Sequence, residues 1–159
     1  MKRNNILKLV VVIAVSEFAG ILGSLFTTQS IPTWYAALAK PALNPPNWVF
    51  GPVWATLYLL MAIAAFLVWR RGSENKYVKF ALCIFCLQLL LNTLWSIVFF
   101  GLHAPWWAFV NIVLLWAAIA WTMVAFRKIS HTAFYLLVPY LIWVSFAAYL
   151  NLAIAILNH

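Results

Sequence analysis

The chain is expected to be an all-α membrane protein, a bundle of five transmembrane helices with a Pro-rich lid loop between the first and second. Three observations lead there. Hydrophobic residues make up 67% of the 159 positions and charged residues only 8%, against about half and a quarter in ordinary globular domains. A chain this short has no single core able to hide so much apolar surface, which excludes a soluble enzyme, a disordered chain and a disulfide scaffold. The few charges punctuate five apolar runs, approximately 6–26, 48–69, 80–100, 105–126 and 133–157. Each is about 20 residues or longer, enough to cross ~30 Å of hydrocarbon at about 1.5 Å per residue. Barrel strands would be about 10 residues long with alternating polarity, and the runs have neither property. With backbone groups obliged to pair inside lipid, helices remain. All five belong to one transmembrane domain, 1–159.

The first run follows Lys2 and Arg3 as a signal peptide would, but Glu17 interrupts it and no small-x-small cleavage site precedes Pro32. It reads as a retained helix. The connection 27–47 holds Pro32, Pro41, Pro45 and Pro46 together with Trp34, Tyr35 and Leu38; a loop of that length and content is expected to be a functional lid. The second run carries Trp54 and Tyr58, four apart. The third carries Gln88, Asn92 and Ser96 at the same spacing, beside Trp95. The fourth has Trp107 one turn before Asn111, and the fifth has Trp143, Ala147 and Asn151 on one face. Each helix thus offers a polar or Trp stripe, and the simplest packing turns the stripes toward one pocket. The plainer readings are amides that only glue helices together and tryptophans in interfacial belts. Trp34, Trp48, Trp69 and Trp106, near helix ends or in loops, suit belt or lid roles. Trp54, Trp95 and Trp143 lie deeper, where an indole N–H requires a partner.

Lys and Arg number ten against two acidic residues, for a net charge of +8. In this setting the excess is a topology signal, not a nucleic-acid footprint. One side receives Lys2, Arg3, Lys8, Arg70, Arg71, Lys76, Lys79, Arg127 and Lys128; the other receives only Lys40. The positive-inside rule then puts the N-terminus in the cytoplasm and the C-terminus outside, in a bacterial or archaeal cytoplasmic membrane. Glu17 is the one acid within a run, and a membrane carboxylate is a functional candidate by default, here as a proton or coupling group. The alternative is a carboxyl that is simply protonated or hydrogen-bonded to a neighbouring helix. Cys83 and Cys86 form a CxxC inside a helix and not at its start, which disfavours a thiolate. His103, His131 and His159 make no metal constellation, and without any aspartate there is no Ser-His-Asp set. Ser16, Gly20 and Ser24, with Ala19 and Gly23 beside them, permit close helix contact within or between chains.

The segment WYAALAKPALNPPNWVFGPVWATLYLLMAIAAFLVW from Trp34, with QLLLNTLWSIVFF and LLVPYLIWVSFAAYLNLAIAILN further on, resembles the translocator protein family, also called the tryptophan-rich sensory protein or peripheral-type benzodiazepine receptor family (TspO/MBR). The resemblance runs from about Ser16 to Asn158. It implies a five-helix bundle, commonly a homodimer, that binds porphyrins such as protoporphyrin IX and benzodiazepine-type ligands and needs no cofactor. It also implies ligand-binding positions at Tyr35, Pro46, Trp54, Tyr58, Asn92, Trp95, Trp107, Leu114, Trp143, Ala147 and Leu150. Some bacterial members are described as degrading porphyrin with light and oxygen, for which Trp54 and Trp143 would be the catalytic pair. A porphyrin transporter coupled through Glu17 is the alternative. Tyr149 is followed by no Lys or Arg, so the sterol motif of mammalian members, weak in itself, is not met. Lys40 and His103 are the candidate partners for porphyrin propionates.

Overall fold

The computed structural model describes residues 3–158, so Lys2 and His159 lie outside the described residues, as does the side chain of Arg3. Five helices account for most of the chain: α1 (Arg3–Ser30), α2 (Phe50–Trp69), α3 (Lys76–Ser96), α4 (Pro105–Arg127) and α5 (His131–Leu157). All five are long and apolar enough to span a membrane, and the described residues contain no strand.

The helices overrun the apolar runs, for identifiable reasons. Asn75 caps α3 by accepting the Tyr77 N–H at 2.9 Å, and Ser130 caps α5 by accepting that of Ala133 at 3.3 Å. Both helices therefore begin before their apolar stretch does. The largest difference is at the end of α1, which continues through a π turn, Ile31–Tyr35, and shortens the lid to roughly residues 38–46. Pro32 does not stop it, because the widened turn absorbs the missing N–H. Around it the hydroxyls of Thr28 and Thr33 donate to carbonyls four residues back, at 2.8 and 2.9 Å. α3 also ends in a π turn, Ile97–Gly101. His103, with φ of 52°, then reverses the chain so that Pro105 can open α4.

Going round the bundle the order is α1, α2, α5, α4, α3 and back to α1. α1 is the least enclosed member, and its small residues are used within the chain. A Cβ on Gly20 would stand 2.6 Å from the Tyr58 ring, and one on Gly23 would stand 3.0 Å from the Ser96 hydroxyl oxygen. These glycines bring α1 against α2 and α3 at backbone range. At the basic end Lys8 donates to the Trp69 carbonyl at 3.3 Å, an acceptor at the end of α2 that the Gly72 N–H also meets.

Gly20→Ala is therefore expected to displace the buried Tyr58 ring and destabilise the bundle by about 1–3 kcal/mol, read as a lower melting temperature in detergent. Gly51→Ala, where nothing lies within 4 Å, should leave that temperature unchanged.

Candidate functional site

The centre of the bundle is a chain of uncharged hydrogen bonds. Tyr58 on α2 donates its hydroxyl to Asn92 Oδ1 on α3 at 2.7 Å. Asn92 Nδ2 donates to the Tyr140 hydroxyl on α5 at 2.7 Å, and that hydroxyl donates onward to Gln88 Oε1 at 2.8 Å. All four side chains are buried. Toward the lid, Trp95 Nε1 donates to Asn151 Oδ1 at 2.9 Å, and Asn151 Nδ2 donates to the Pro105 carbonyl at 2.8 Å. The four-residue spacing of Gln88 and Asn92 on α3 is what lets both reach one tyrosine. Ser96, on the same spacing, meets Gly23 of α1 instead.

Trp54 lies half-buried against this network, its ring centroid 5.9 Å from Tyr58, 6.3 Å from Tyr140 and 6.4 Å from Trp95. One turn nearer the lid, Phe50 meets Trp143 edge-on at 6.0 Å, so α2 and α5 face each other through a staggered aromatic seam. Trp143 Nε1 is buried with no acceptor. Ala147 and Leu150 are buried further along α5.

The lid closes over one end. Tyr35 is buried at its root between Phe99 and Phe100 and donates to Asn44 Oδ1 at 2.7 Å. Lys40 Nζ sits 4.9 Å from the Tyr35 ring centroid and donates to the carbonyls of Ala36 and Leu38. Pro46 is exposed on the outer side, just before the short 3-10 turn Asn47–Val49 that enters α2. The start of the lid is clamped from the far end of the chain. Asn158 accepts the Ala39 N–H and donates to the Ala39 carbonyl, both at 2.9 Å. His103 stacks on Trp34 with centroids 4.4 Å apart.

Tyr58, Asn92, Trp95 and Trp54 are thus brought together, with Trp143, Ala147 and Leu150 along the adjoining face of α5 and Tyr35 at the lid's root. Trp107 and Leu114 are not. They are 73% and 55% exposed, on the outward side of α4. That helix turns Ala108, Asn111, Ile112 and Leu115 into the bundle, and Trp107 and Leu114 lie one position off that face. Sequence reading missed Tyr140, the hub of the network. Its signal is a tyrosine in the middle of an apolar run, whose hydroxyl has to find a partner. Glu17 is half-buried and takes part in no hydrogen bond or ion pair among the described residues, whereas Glu74 pairs with Lys79 at 3.1 Å. Cys83 and Cys86 are free and exposed on α3, and no group of residues suited to a metal ion occurs among the described residues.

Comparison with known proteins agrees with this architecture. A family model described as the TspO/MBR family matches residues 11–157. The chain is 44% identical over 153 residues to the tryptophan-rich protein TspO of Chlorobaculum tepidum, covering 96% of this chain and 97% of that protein. It is 46% identical over 155 residues to the protein of the same name from Archaeoglobus fulgidus, covering 97% and 99%. To the human translocator protein it is 40% identical over 139 residues, covering 87% and 82%.

Asn158→Ala removes both bonds that clamp the lid. The amide of Ala39 is expected to exchange with solvent several-fold faster, as the loss of about 0.5–1.5 kcal/mol in local hydrogen bonding implies. Hydrogen–deuterium exchange on a peptide spanning 36–46 reads the change, with a peptide from α4 as the unaffected reference.

Proposed function

The chain belongs to the TspO/MBR family of multi-pass membrane proteins, and from that premise we propose that it senses or regulates a porphyrin of the protoporphyrin IX type, bound at the aromatic seam between α2 and α5 beneath the lid. The observation that carries this reading is the buried, unpartnered N–H of Trp143 beside the half-buried Trp54. A buried donor without an acceptor costs about 1–3 kcal/mol, which a ligand bringing a carbonyl or carboxylate oxygen recovers. A flat apolar macrocycle is a shape that indoles stack on. The inner amides do not serve as ligand contacts in this scheme: Asn92 and Asn151 spend their hydrogen bonds on Tyr58, Tyr140, Trp95 and the Pro105 carbonyl. Lys40 on the lid is the cation, and His103, stacked on Trp34, the imidazole, offered to propionates. The basic end faces the cytoplasm in this reading, and the lid faces outward.

The test is titration of the purified protein with protoporphyrin IX in the dark, followed by tryptophan quenching, then illumination in air with the Soret band as readout. Saturable binding is expected, weakened about tenfold or more in a Trp54→Phe, Trp143→Phe variant that loses two stacking surfaces and the indole donor. Soret decay that the double variant abolishes would add turnover to binding. Absence of saturable binding would overturn the proposal.

A second reading, transport coupled through a carboxyl, is favoured by one observation: Glu17 is the only acid within the spans and no side chain among the described residues pairs with it. In sealed vesicles under a proton gradient, Glu17→Gln should then abolish porphyrin flux while leaving dark binding intact. Equal flux in the two proteins would dismiss coupling.

A further inference from the structure

The basic end of the bundle carries a second feature, independent of the aromatic seam. Most of its described cations are accounted for locally. Lys8 holds the Trp69 carbonyl, Lys79 pairs with Glu74, and Arg70 and Arg127 lie over the rings of Phe66 and Phe134. Lys76 lies over the Tyr77 ring, 5.3 Å from its centroid, but like Arg71 and Lys128 it pairs with no carboxylate among the described residues, Glu74 being the sole acid at this end. These three line adjoining clefts. Lys76 and Lys128 rim one of about 360 Å³, formed where the start of α3 meets the end of α4. Arg71 and Lys128 rim a second of about 410 Å³, and Tyr77 belongs to both.

Below the lysines the first cleft is apolar. Phe80 and Trp121 form one wall, their rings edge-to-face at 5.9 Å, and Val124 continues it. All three are about half exposed, on spans that cross hydrocarbon, and so are open to a lipid chain. A trough with cations at the membrane boundary and fixed aromatic and aliphatic walls running inward has the polarity profile of one molecule class: a phosphate headgroup followed by acyl chains. Three cations without counter-charge select the anionic members, since a zwitterionic headgroup brings its own cation into the same positive field.

We propose that this α3–α4 cleft is a binding site for an anionic phospholipid of the phosphatidylglycerol type, its phosphate between Lys76 and Lys128 and its acyl chain along Phe80, Trp121 and Val124. Arg71 extends the positive rim toward the second cleft, where the glycerol of the headgroup would lie. The interaction is non-covalent, and it makes the bundle's stability depend on lipid composition through the α3–α4 contact.

The experiment is native mass spectrometry of the intact protein, released from micelles titrated with phosphatidylglycerol or with phosphatidylcholine of the same chains. One phosphatidylglycerol is expected to be retained preferentially. Lys76→Gln with Lys128→Gln should weaken its retention roughly 30-fold, two phosphate contacts being lost. Lys79→Gln, at the same end but paired with Glu74, should change it little. Millimolar inorganic phosphate should fail to displace the lipid, and Trp121→Ala should weaken retention with every cation still in place. Equal retention of the two lipids, equal damage from Lys79→Gln, or displacement by inorganic phosphate would each overturn the proposal, pointing respectively to no headgroup selection, diffuse charge or a plain anion site. Porphyrin titration of the lysine variant should match that of the unaltered protein, so failure here and failure at the aromatic seam are told apart.

Discussion

Inside hydrocarbon a polar group that finds no partner within the protein finds none at all. The run of hydrogen bonds from Tyr58 through Asn92 and Tyr140 to Gln88 answers that constraint with four uncharged side chains on three helices. Because α2 and α5 are neighbours in the ring while α3 lies across it, the network crosses the interior and does more than line one seam. Each bond is worth little alone in a membrane, about 0.6 kcal/mol on average. Their collective effect is on rotation: turning α3 by one residue would expose two amides to apolar surroundings, so the helix faces are held in one setting.

The aromatic seam follows from that setting. Once Tyr58 and Tyr140 point at Asn92, Trp54 must lie over the two tyrosine rings, and Phe50 one turn along meets Trp143. α1 accommodates the same constraint from outside, presenting Gly20 where the Tyr58 ring leaves no space for a side chain. A polar requirement at the centre thus dictates the smallest residue at the periphery. Among the described residues the fully buried indole N–H without a partner, that of Trp143, is on the side of the seam that faces the lid, while that of Trp95 is satisfied by Asn151.

Five spans and a proline-rich cover were legible because membrane thickness leaves a strong mark on composition. Trp54, Tyr58, Asn92 and Trp95 could be grouped in advance because polar and indole groups stand out in apolar helices. Other elements were hidden for physical reasons. Pro32 reads as a helix stop, yet a π turn carries α1 on to Tyr35. Along α4 nearly every residue is apolar, so no periodic contrast separates Ala108 and Leu115, which face inward, from Trp107 and Leu114, which do not. Tyr140 follows Pro139 in an unbroken apolar stretch, and only the position of α3 reveals what its hydroxyl serves. The clamp between Asn158 and Ala39 joins positions 119 residues apart, a separation that no local pattern reports.

That clamp gives α5 a mechanical character. From Tyr140 to Leu157 the helix contains no proline, so it transmits axial displacement as a stiff rod over the ~22 Å that 15 residues span. Trp143 rides near one end of the rod and Asn158 grips the lid at the other. Two hydrogen bonds of 2.9 Å to the backbone of a single residue tolerate only a few tenths of an ångström of slippage before they part. A displacement of α5 along its axis is therefore felt at Ala39 as strain on those two bonds, so the helix that carries Trp143 and the entry to the lid are mechanically one piece.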